Sequence, residues 1–390
     1  MRKTPDLALV LLLLGVMLLG LGKTLLLPKD TNYYENRTAN QPPRFTVSSW
    51  LAGDYQDGLE AALSDQVPLA QRLELGYHQT TNVFLQSVLE KLIDRYPDRY
   101  FSYHGMMLFG GDTIVYPTVY LDERQEALDR KLENLNAAIA AHPELTFYVY
   151  YIEKDTDINF ESGYLCGLSD YVLDGLKLPE AQKGRFTVHS FEEFRNWFYR
   201  TDHHWNWEGS RRGYTQIMDM LGKPALTPTG PELIAGGMCG SKARVSGGEA
   251  IFTEDFYAYR WPFPEMEITV NGQRVNDFGM QDESFGPDAY GTVGYSGFYG
   301  GDDGEIHFHV NNPGAGSLLI LGESFDNAVL KLIASGFEDT WSVDLRNYEH
   351  DTGKVFSFSD YVAEHGIDRV LLIGNIDYFV MDEFRLEDVP

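Results

Sequence analysis

Two short motifs in this chain carry the side chains of nucleophilic acyl-transfer chemistry. Residues 202–205 read Asp-His-His-Trp, and residues 322–325 read Gly-Glu-Ser-Phe. In an extended chain, residues two apart point the same way, so Asp202 can hold the His204 imidazole in one tautomer and leave its other nitrogen as a base. Ser324 follows an apolar run, where an α/β fold exposes a nucleophile. The sequence therefore predicts Ser324 as nucleophile, His204 as its base and Asp202 as the residue that orients His204.

Each motif also has a simpler explanation, which the pattern leaves open. Ser is a favoured helix N-cap, so Ser324 could only cap a helix that begins near Asp326. Alternatively, Gly322 lets the backbone turn sharply, and this helix aims its N-terminal amides at a developing oxyanion. The Asp-His-His-Trp stretch could likewise be a satisfied surface loop. If it is instead the catalytic element in extended chain, we expect His203 to point away from His204 and to pack behind the site.

Further candidates for the site are an amide and several aromatic side chains. Asn375 follows the last apolar run, where its amide could complete an oxyanion hole or simply form a turn. Trp205, Trp207 and Tyr378 could stack on sugar faces, although burial is the commoner role of such residues, and we expect Trp205 to pack beneath the catalytic loop. The candidate oxyanion and substrate residues are therefore Asn375, Gly322, Trp205 and Tyr378.

No pattern in the sequence predicts a metal or another cofactor. His203 and His204 lack a third clustered ligand, and neither cysteine has a ligand at metal-binding spacing. Cys166 and Cys239 are the two cysteines, and in an extracellular protein they could form one disulfide or remain free.

Short apolar runs alternate with helical patterns through most of the chain. The runs lie at residues 146–152, 186–188, 317–321, 341–343 and 369–373. This alternation indicates an α/β fold with a mostly parallel sheet and helices on both faces. Sites of such folds form at the carboxyl ends of the strands, and His204, Ser324 and Asn375 lie at or near such ends. Asn206 is the predicted cap of a helix that runs to Leu221.

The chain divides into an apolar N-terminus, a polar and helical extension, and a larger domain. The predicted divisions are residues 1–27 as a membrane anchor, residues 28–96 as a tether and helical extension, and residues 97–390 as the catalytic domain. Pro68 is expected to break the extension into two helices. Residues 230–316, dense in Gly, Tyr and Asp, are a predicted β-rich insertion between the two motifs.

The N-terminus predicts an uncleaved transmembrane helix. Arg2 and Lys3 precede an uncharged run, residues 7–22, which alone spans roughly 24 Å as a helix. Snorkelling of Lys23 extends the span through Leu27. A cleaved signal peptide is the alternative, but bulky leucines stand where a small-x-small site would follow. The basic residues at the start predict a cytoplasmic N-terminus and an extracytoplasmic domain.

The formal net charge of −27 limits the partners of this chain. Such acidity disfavours nucleic acid and anionic membrane surfaces. It fits a solvated extracytoplasmic domain near neutral polymers, and it equally fits an acidic surface that simply keeps an exported protein soluble.

Residues 202–205 resemble the signature that names the DHHW proteins, which are bacterial surface proteins related to the alginate O-acetylation proteins. Further similarities are Glu35-Asn36-Arg37, Pro43 with Phe45-Thr46, and Asp65-Gln66-Val67-Pro68 with Arg72. Residues 322–325 fall where the relatives have Gly-Asp-Ser-Phe, so Glu323 replaces Asp beside the nucleophile. The resemblance extends from about Glu35 to the C-terminus.

This resemblance implies an SGNH-hydrolase-like fold, circularly permuted so that the Asp-x-His element precedes the Ser. Relatives acetylate secreted polysaccharides with this triad and receive the acetyl group from a membrane-bound acyltransferase. By resemblance, Ser324 would be acylated, His204 would act as its base and Asp202 would orient the base. Glu323 would flank the nucleophile without reacting.

Three functions are compatible with these residues. The leading one is an anchored extracytoplasmic O-acetyltransferase, with a polysaccharide as acceptor and a membrane-bound acyltransferase as donor partner. The same triad would serve a carbohydrate esterase, with water as the acceptor. The third is a non-catalytic surface protein that binds glycan or scaffolds an export complex. The replacement of the relatives' Asp by Glu323 is compatible with this function.

Overall fold

The structure, a computed structural model, describes most of the chain. The described residues are 4–29, 31–32, 37–66, 73, 76–77, 80–81, 88–89, 91–246, 252–280, 294–381 and 386. The chain divides into two compact units, residues 1–91 with 243–251 and residues 92–242 with 252–390. The predicted helix break at Pro68, and the similarities at Glu35, Asn36, Val67 and Arg72, lie outside the described residues.

The first unit begins with an apolar helix, Thr4–Leu26. Its 20-residue stretch Leu7–Leu26 has a mean hydropathy of 2.4 and is long enough to cross a hydrocarbon core. In the part of the chain that the structure describes, no other helix has this length and composition. The prediction of an apolar N-terminal helix is confirmed. A membrane anchor and a signal sequence share its length and composition, so the helix fits both alternatives.

After this helix, polar side chains tie the first unit together. The backbone N–H of Lys29 donates to Gln66 Oε1 (2.6 Å), and Gln66 Nε2 donates to the Lys29 carbonyl (2.8 Å). The other described elements of this unit are the strands Thr31–Asn32 (β1) and Arg37–Thr38 (β2) and the helices Val47–Ala52 and Asp54–Gln66.

A mixed sheet, of eight strands among the described residues, is the centre of the second unit. In spatial order the strands are Gln273–Val275 (β13), Met266–Val270 (β12), Glu305–Val310 (β14), Asp339–Val343 (β16), Ser317–Leu321 (β15), Arg369–Gly374 (β17), Thr146–Ile152 (β6) and Lys183–Phe186 (β9). The strands from β16 to β9 pair in parallel, whereas β14, β12 and β13 are joined by antiparallel pairing. The predicted α/β fold is therefore confirmed, and strands from residues 230–316 extend the same sheet.

Successive side chains of the central strands point to opposite faces of this sheet, and apolar residues at both sets of positions form a hydrophobic core on each face. In β17, Leu371 packs into one core and Leu372 into the other. Helix Trp207–Met220 covers the first face, and helix Leu121–Ala141 covers the second. Each buried aliphatic side chain contributes about 1.5–3 kcal/mol. A register slip of one residue would exchange the two faces, so burial fixes the strand positions.

The remaining described elements surround this sheet. The strands are Phe101–Tyr103 (β3), Met106–Phe109 (β4), Thr113–Val115 (β5), Ile158–Asn159 (β7), Tyr164–Leu165 (β8), Thr229–Met238 (β10) and Glu254–Arg260 (β11). The helices are Leu168–Gly175, Phe191–Trp197, Ser241–Val245, Tyr295–Tyr299, Leu330–Ala334, Tyr348–Thr352, Phe358–His365 and Ile376–Val380, with 3₁₀ turns at Glu180–Gln182 and Asp326–Ala328. Cys166 and Cys239 are both buried and are not joined by a disulfide.

Three parallel strands end together at one edge of the sheet. Leu321, the last residue of β15, pairs with Leu372 of β17, and Gly374 at the end of β17 pairs with Tyr151 of β6. The loops that follow these strands are consequently neighbours, and they carry Ser324 among their residues.

Candidate active site

Ser324, His204 and Asp202 form a continuous hydrogen-bonded chain. Ser324 Oγ lies 2.8 Å from His204 Nε2, and His204 Nδ1 lies 2.6 Å from Asp202 Oδ1. When Nδ1–H donates to the carboxylate, the neutral imidazole leaves Nε2 as acceptor for the serine hydroxyl. A hydroxyl, an imidazole and a carboxylate in this order are what nucleophilic acyl transfer requires.

The loop that carries Asp202 and His204 is tightly bonded to its flanking helices. The Tyr199 N–H donates to the His204 carbonyl (3.1 Å), and the Asn206 N–H donates to the Trp197 carbonyl (2.8 Å). The Asn206 side chain then caps helix Trp207–Met220, as predicted. The Asp202 and His204 side chains are both buried, so the surface-loop alternative is wrong.

Glu254 holds the start of this loop. Its carboxylate accepts the backbone N–H groups of Arg200 (3.1 Å) and Thr201 (2.7 Å) and the Thr201 hydroxyl (2.6 Å). Burial raises the pKa of Glu254, against the opposing effect of these hydrogen bonds. Glu254 lies in β11, within residues 230–316, so this segment supports the loop that precedes it in the chain.

The Asp202 carboxylate is buried and surrounded by donors. Oδ1 also accepts the backbone N–H of His204 (3.1 Å), and Oδ2 accepts the Ser241 N–H (2.7 Å). Burial alone would raise the pKa of Asp202, but His204, then His203 and the Ser241 N–H, outweigh it and hold this pKa well below its usual range. Gly240 makes the approach possible, because a Cβ there would lie 2.5 Å from the Asp202 backbone nitrogen.

An aromatic side chain that no sequence pattern indicated covers the His204 ring. The Tyr295 ring stacks on His204 with centroids 3.7 Å apart and planes inclined by 3°. The Tyr295 hydroxyl accepts the Ala328 N–H (3.2 Å), which fixes the ring in place. Tyr295 is one of 24 tyrosines and has no distinguishing motif, so sequence reasoning had no signal for it. The stack shields the imidazole from water and restricts its plane.

His203 lies against His204 instead of pointing away from it. The two ring centroids are 3.9 Å apart, and His203 Nδ1 lies 2.6 Å from Ser241 Oγ. The expectation of opposite directions is wrong because residues 201–204 bend and are not extended. Burial, reinforced by the charge of His204, lowers the pKa of His203 well below its usual range.

The cluster of Asp202, His203 and His204 also corrects the argument against a metal. Their ligand atoms lie within 4.8 Å of one another, so a third clustered ligand is present after all. These atoms are already engaged with one another and with Ser241. A metal ion bound by them would have to break the bond between Asp202 and His204, so we assign the cluster to positioning.

Glu323 and Gly322, the residues before Ser324, pack closely around it. Glu323 Oε1 accepts a hydrogen bond from Asn375 Nδ2 (2.8 Å), and Ser324 Oγ lies 3.2 Å from Glu323 Oε2. A Cβ at Gly322 would lie 2.9 Å from Asp326 Cγ, so close approach of this carboxylate requires glycine here. Burial raises the pKa of Glu323, although Arg346 and Lys154 oppose this.

A short helical segment follows Ser324, close to where the sequence predicts it. Residues Asp326–Ala328 form a 3₁₀ turn, and the helix proper, Leu330–Ala334, begins later. Phe325 occupies the N-cap position of the 3₁₀ turn without a side-chain cap bond. The alternative that Ser324 is only a helix cap is therefore wrong, and the helix predicted to begin near Asp326 starts there as a 3₁₀ turn.

The other candidate residues have different surroundings. Asn375 is buried, and its Oδ1 caps helix Ile376–Val380 by accepting the Asp377 N–H (2.9 Å) while its Nδ2 holds Glu323. Trp205 and Tyr378 are both 0% exposed. Stacking of Trp205 on a sugar face is wrong, because this ring lies in a hydrophobic core, whereas Tyr378 is buried in the other core and also lines the pocket of Ser324. The expected packing of Trp205 beneath the loop agrees with this position.

Ser324 opens onto a pocket of about 570 Å³. Its lining includes His203, Glu323, Asn375 and three cations, Arg124, Lys154 and Arg346. Lys154 Nζ donates to Asp377 Oδ2 (2.9 Å), and the charge of Lys154 lowers the pKa of Asp377. The pocket thus combines Ser324 with three cations and three carboxylates, since Glu123, Glu323 and Asp377 also line it.

The loop after β6 supports this pocket through buried carboxylates. Asp157 Oδ2 accepts the Lys154 N–H (3.1 Å), and Asp157 Oδ1 accepts the Tyr151 hydroxyl (2.8 Å). Burial raises the pKa of Asp157 to about 7, although these bonds oppose it. Asp155 Oδ2 accepts the Tyr116 N–H (2.9 Å) and so ties another lining segment to the same loop.

Comparison with known families and structures agrees with this fold. Residues 186–343 match the family model described as DHHW protein, which confirms the predicted resemblance of the chain to the DHHW proteins. No curated protein matches the chain in sequence.

Three solved structures have a similar fold. Bacillus cereus PatB1 has 19% identity and a TM-score of 0.54, and the match covers 74% of this chain and 99% of that one. PatB1 with a sulfonyl adduct has 20% identity and a TM-score of 0.52 over 74% and 100%. A DHHW family protein from Eubacterium siraeum DSM 15702 has 16% identity and a TM-score of 0.51 over 73% and 95%. At these identities the likeness establishes the fold.

The pKa of Asp157 predicts a pH dependence of stability. An unfolded Asp titrates at about 4, so between about pH 4 and 7 the native state holds a proton that the unfolded state has lost. The free energy of unfolding therefore falls as pH rises through this window, by at most about 1.4 kcal/mol per pH unit from this one group. We expect Asp157→Asn to flatten the slope in urea titrations, and exposed Asp219→Asn is the control for net charge. An unchanged slope in Asp157→Asn would contradict the assignment.

The Tyr295 stack predicts that the rate of Ser324 acetylation depends on the aromatic ring of Tyr295 and less on its hydroxyl. We expect Tyr295→Leu to slow acetylation of Ser324 by p-nitrophenyl acetate on the order of tenfold, as part of the 10²–10⁴-fold that a positioned base contributes. Tyr295→Phe keeps the stack and is the matched control. Equal rates for the Leu and Phe variants would show that the stack does not orient His204.

Proposed function

We propose that this protein is an extracytoplasmic O-acyltransferase that acetylates polysaccharide hydroxyls through an acyl-Ser324 intermediate. The observation that carries this proposal is the hydrogen-bonded chain from Ser324 through His204 to Asp202, which opens onto a pocket of about 570 Å³. The similarity to DHHW proteins supports an acyltransferase-like or esterase-like enzyme.

In the first half-reaction, Ser324 Oγ attacks the carbonyl carbon of an acyl donor. His204 Nε2 takes the hydroxyl proton, and the imidazolium is stabilised by the buried Asp202 carboxylate. Collapse of the tetrahedral intermediate breaks the bond to the leaving group, which receives the proton from His204. The second hydrogen of Asn375 Nδ2, beyond the one used by Glu323, is our candidate donor to the oxyanion.

In the second half-reaction, a sugar hydroxyl attacks the acyl-serine. His204 removes the hydroxyl proton as the new ester bond forms, and it returns that proton to Ser324 Oγ when the old ester bond breaks. With water in place of the sugar, the same steps would make the protein a carbohydrate esterase. The apolar helix Thr4–Leu26 would hold the enzyme at the membrane, where a membrane-bound acyltransferase is the proposed acetyl donor.

The test is intact-mass analysis of the detergent-solubilised full chain after incubation with p-nitrophenyl acetate. We expect an acetyl adduct on the wild type and none on Ser324→Ala. A sulfonyl fluoride is a second probe, since PatB1 has been obtained with a sulfonyl adduct. Adding oligosaccharides should then transfer the acetyl group to sugar, whereas release of acetate alone at every acceptor concentration would favour the esterase. An adduct of equal yield on Ser324→Ala would overturn the proposal.

A further inference from the structure

A second pocket lies beside the pocket of Ser324. It has a volume of about 590 Å³ and is lined by Tyr120, Leu121, Asp122, Gln125, Ser162 and Tyr164. Among the described residues no lysine or arginine lines it, whereas three cations and three carboxylates line the pocket of Ser324. The two pockets therefore differ in the number of charged groups they present and suit different parts of a substrate.

The first turn of helix Leu121–Ala141 separates the two pockets. Glu123 and Arg124 line the pocket of Ser324, while Asp122 and Gln125 line the second pocket. At 3.6 residues per turn, these two pairs lie on opposite sides of one helix. The distance across a helix with its side chains is about 10–12 Å, so a single oligosaccharide can reach from one pocket into the other.

Two exposed tyrosines form the wall of the second pocket. Tyr120 is 41% exposed and Tyr164 is 55% exposed, and their rings lie nearly parallel, with centroids 6.2 Å apart and planes inclined by 29°. The negative face of an aromatic ring attracts the slightly positive C–H groups on the flat face of a pyranose. Asp122, Gln125 and Ser162 add polar groups that can bond to sugar hydroxyls.

Backbone hydrogen bonds hold the two segments that carry this aromatic pair. The Val119 N–H donates to the Thr156 carbonyl (2.9 Å), immediately before Tyr120. Tyr164 lies in β8, which pairs with β7, and the turn between them is closed by the Gly163 N–H on the Asn159 carbonyl (2.7 Å). A preformed aromatic surface loses little conformational entropy when a ligand binds.

The charge of this pocket favours a neutral sugar. Its one titratable acid, Asp122, would repel a carboxylate or sulfate group, and no described cation lines the pocket to offset it. A neutral pyranose requires only ring faces and hydroxyl partners, which are what the pocket provides.

We infer that Tyr120 and Tyr164 form an acceptor subsite, on which a neutral sugar of the glycan stacks while a neighbouring sugar hydroxyl reaches Ser324. This inference rests on the proposed function, because it assigns the acceptor of that reaction a binding position. It makes the tyrosine pair a determinant of acceptor affinity and gives it no part in the chemistry at Ser324.

The test is calorimetric titration of the detergent-solubilised full chain with two neutral probes, chitopentaose and cellopentaose. We expect at least one probe to bind, and the double variant Tyr120→Ala/Tyr164→Ala to raise its Kd tenfold or more. Tyr120→Phe/Tyr164→Phe keeps both rings and should bind within a factor of about three. Tyr96→Ala, at a site that is 45% exposed and lines neither pocket, is the matched control, and circular dichroism checks the folding of each variant.

The outcomes separate this inference from the proposed function. If the wild type is acetylated at Ser324 but neither probe binds, or the double Ala variant binds as tightly as wild type, the subsite is overturned and the acyltransferase stands. If the wild type is not acetylated but a probe binds in a tyrosine-dependent manner, the subsite stands and the enzyme assignment falls. Equal weakening by the Phe and Ala double variants would also overturn the stacking role.

Discussion

The site depends on keeping one buried carboxylate ionised. Asp202 sits in the protein interior, where burial alone favours its neutral form, and it remains charged because three N–H groups donate to it and two histidines lie alongside. This charge holds the Nδ1–H tautomer of His204, which in turn makes Nε2 the acceptor that faces Ser324. Without the charge, the serine would have a histidine nearby but no directed base.

Two separate parts of the fold have to meet for this arrangement to form. The parallel sheet delivers Ser324 and Asn375 from the ends of neighbouring strands, because burial on both faces fixes their register. Asp202 and His204 come from a loop between two helices, which a single β-bridge between Phe198 and Trp205 closes. Residues from 230–316 also hold that loop: Glu254 bonds its start, Ser241 bonds the carboxylate and Tyr295 covers the imidazole. The predicted insertion is thus a structural support of the site as well as an extension of the sheet.

The sequence predicted those features that depend on residues close together in the chain. Apolar runs predicted the central strands, and the Asn206 cap and the apolar N-terminal helix followed from residue types at short spacing. The direction of His203 was wrong because a bend replaces the extended chain that the argument assumed. Tyr295, Glu254 and Ser241 could not be found, since their roles arise from approaches across 38 or more residues that leave no local pattern. The tyrosine subsite likewise appears only when the helix start and the β7–β8 hairpin are brought together.

The charge on Asp202 is tested most directly by replacing it with an isosteric neutral group. In Asp202→Asn the amide can present its carbonyl or its NH₂ to His204, and it no longer fixes the productive tautomer. The rate of Ser324 acetylation by p-nitrophenyl acetate, followed by intact mass, is the measurement. The account predicts a loss on the order of 10³–10⁴-fold with the fold retained by circular dichroism. A rate within a few-fold of wild type would contradict it, because Ser324 would then react without the oriented base on which this site is built.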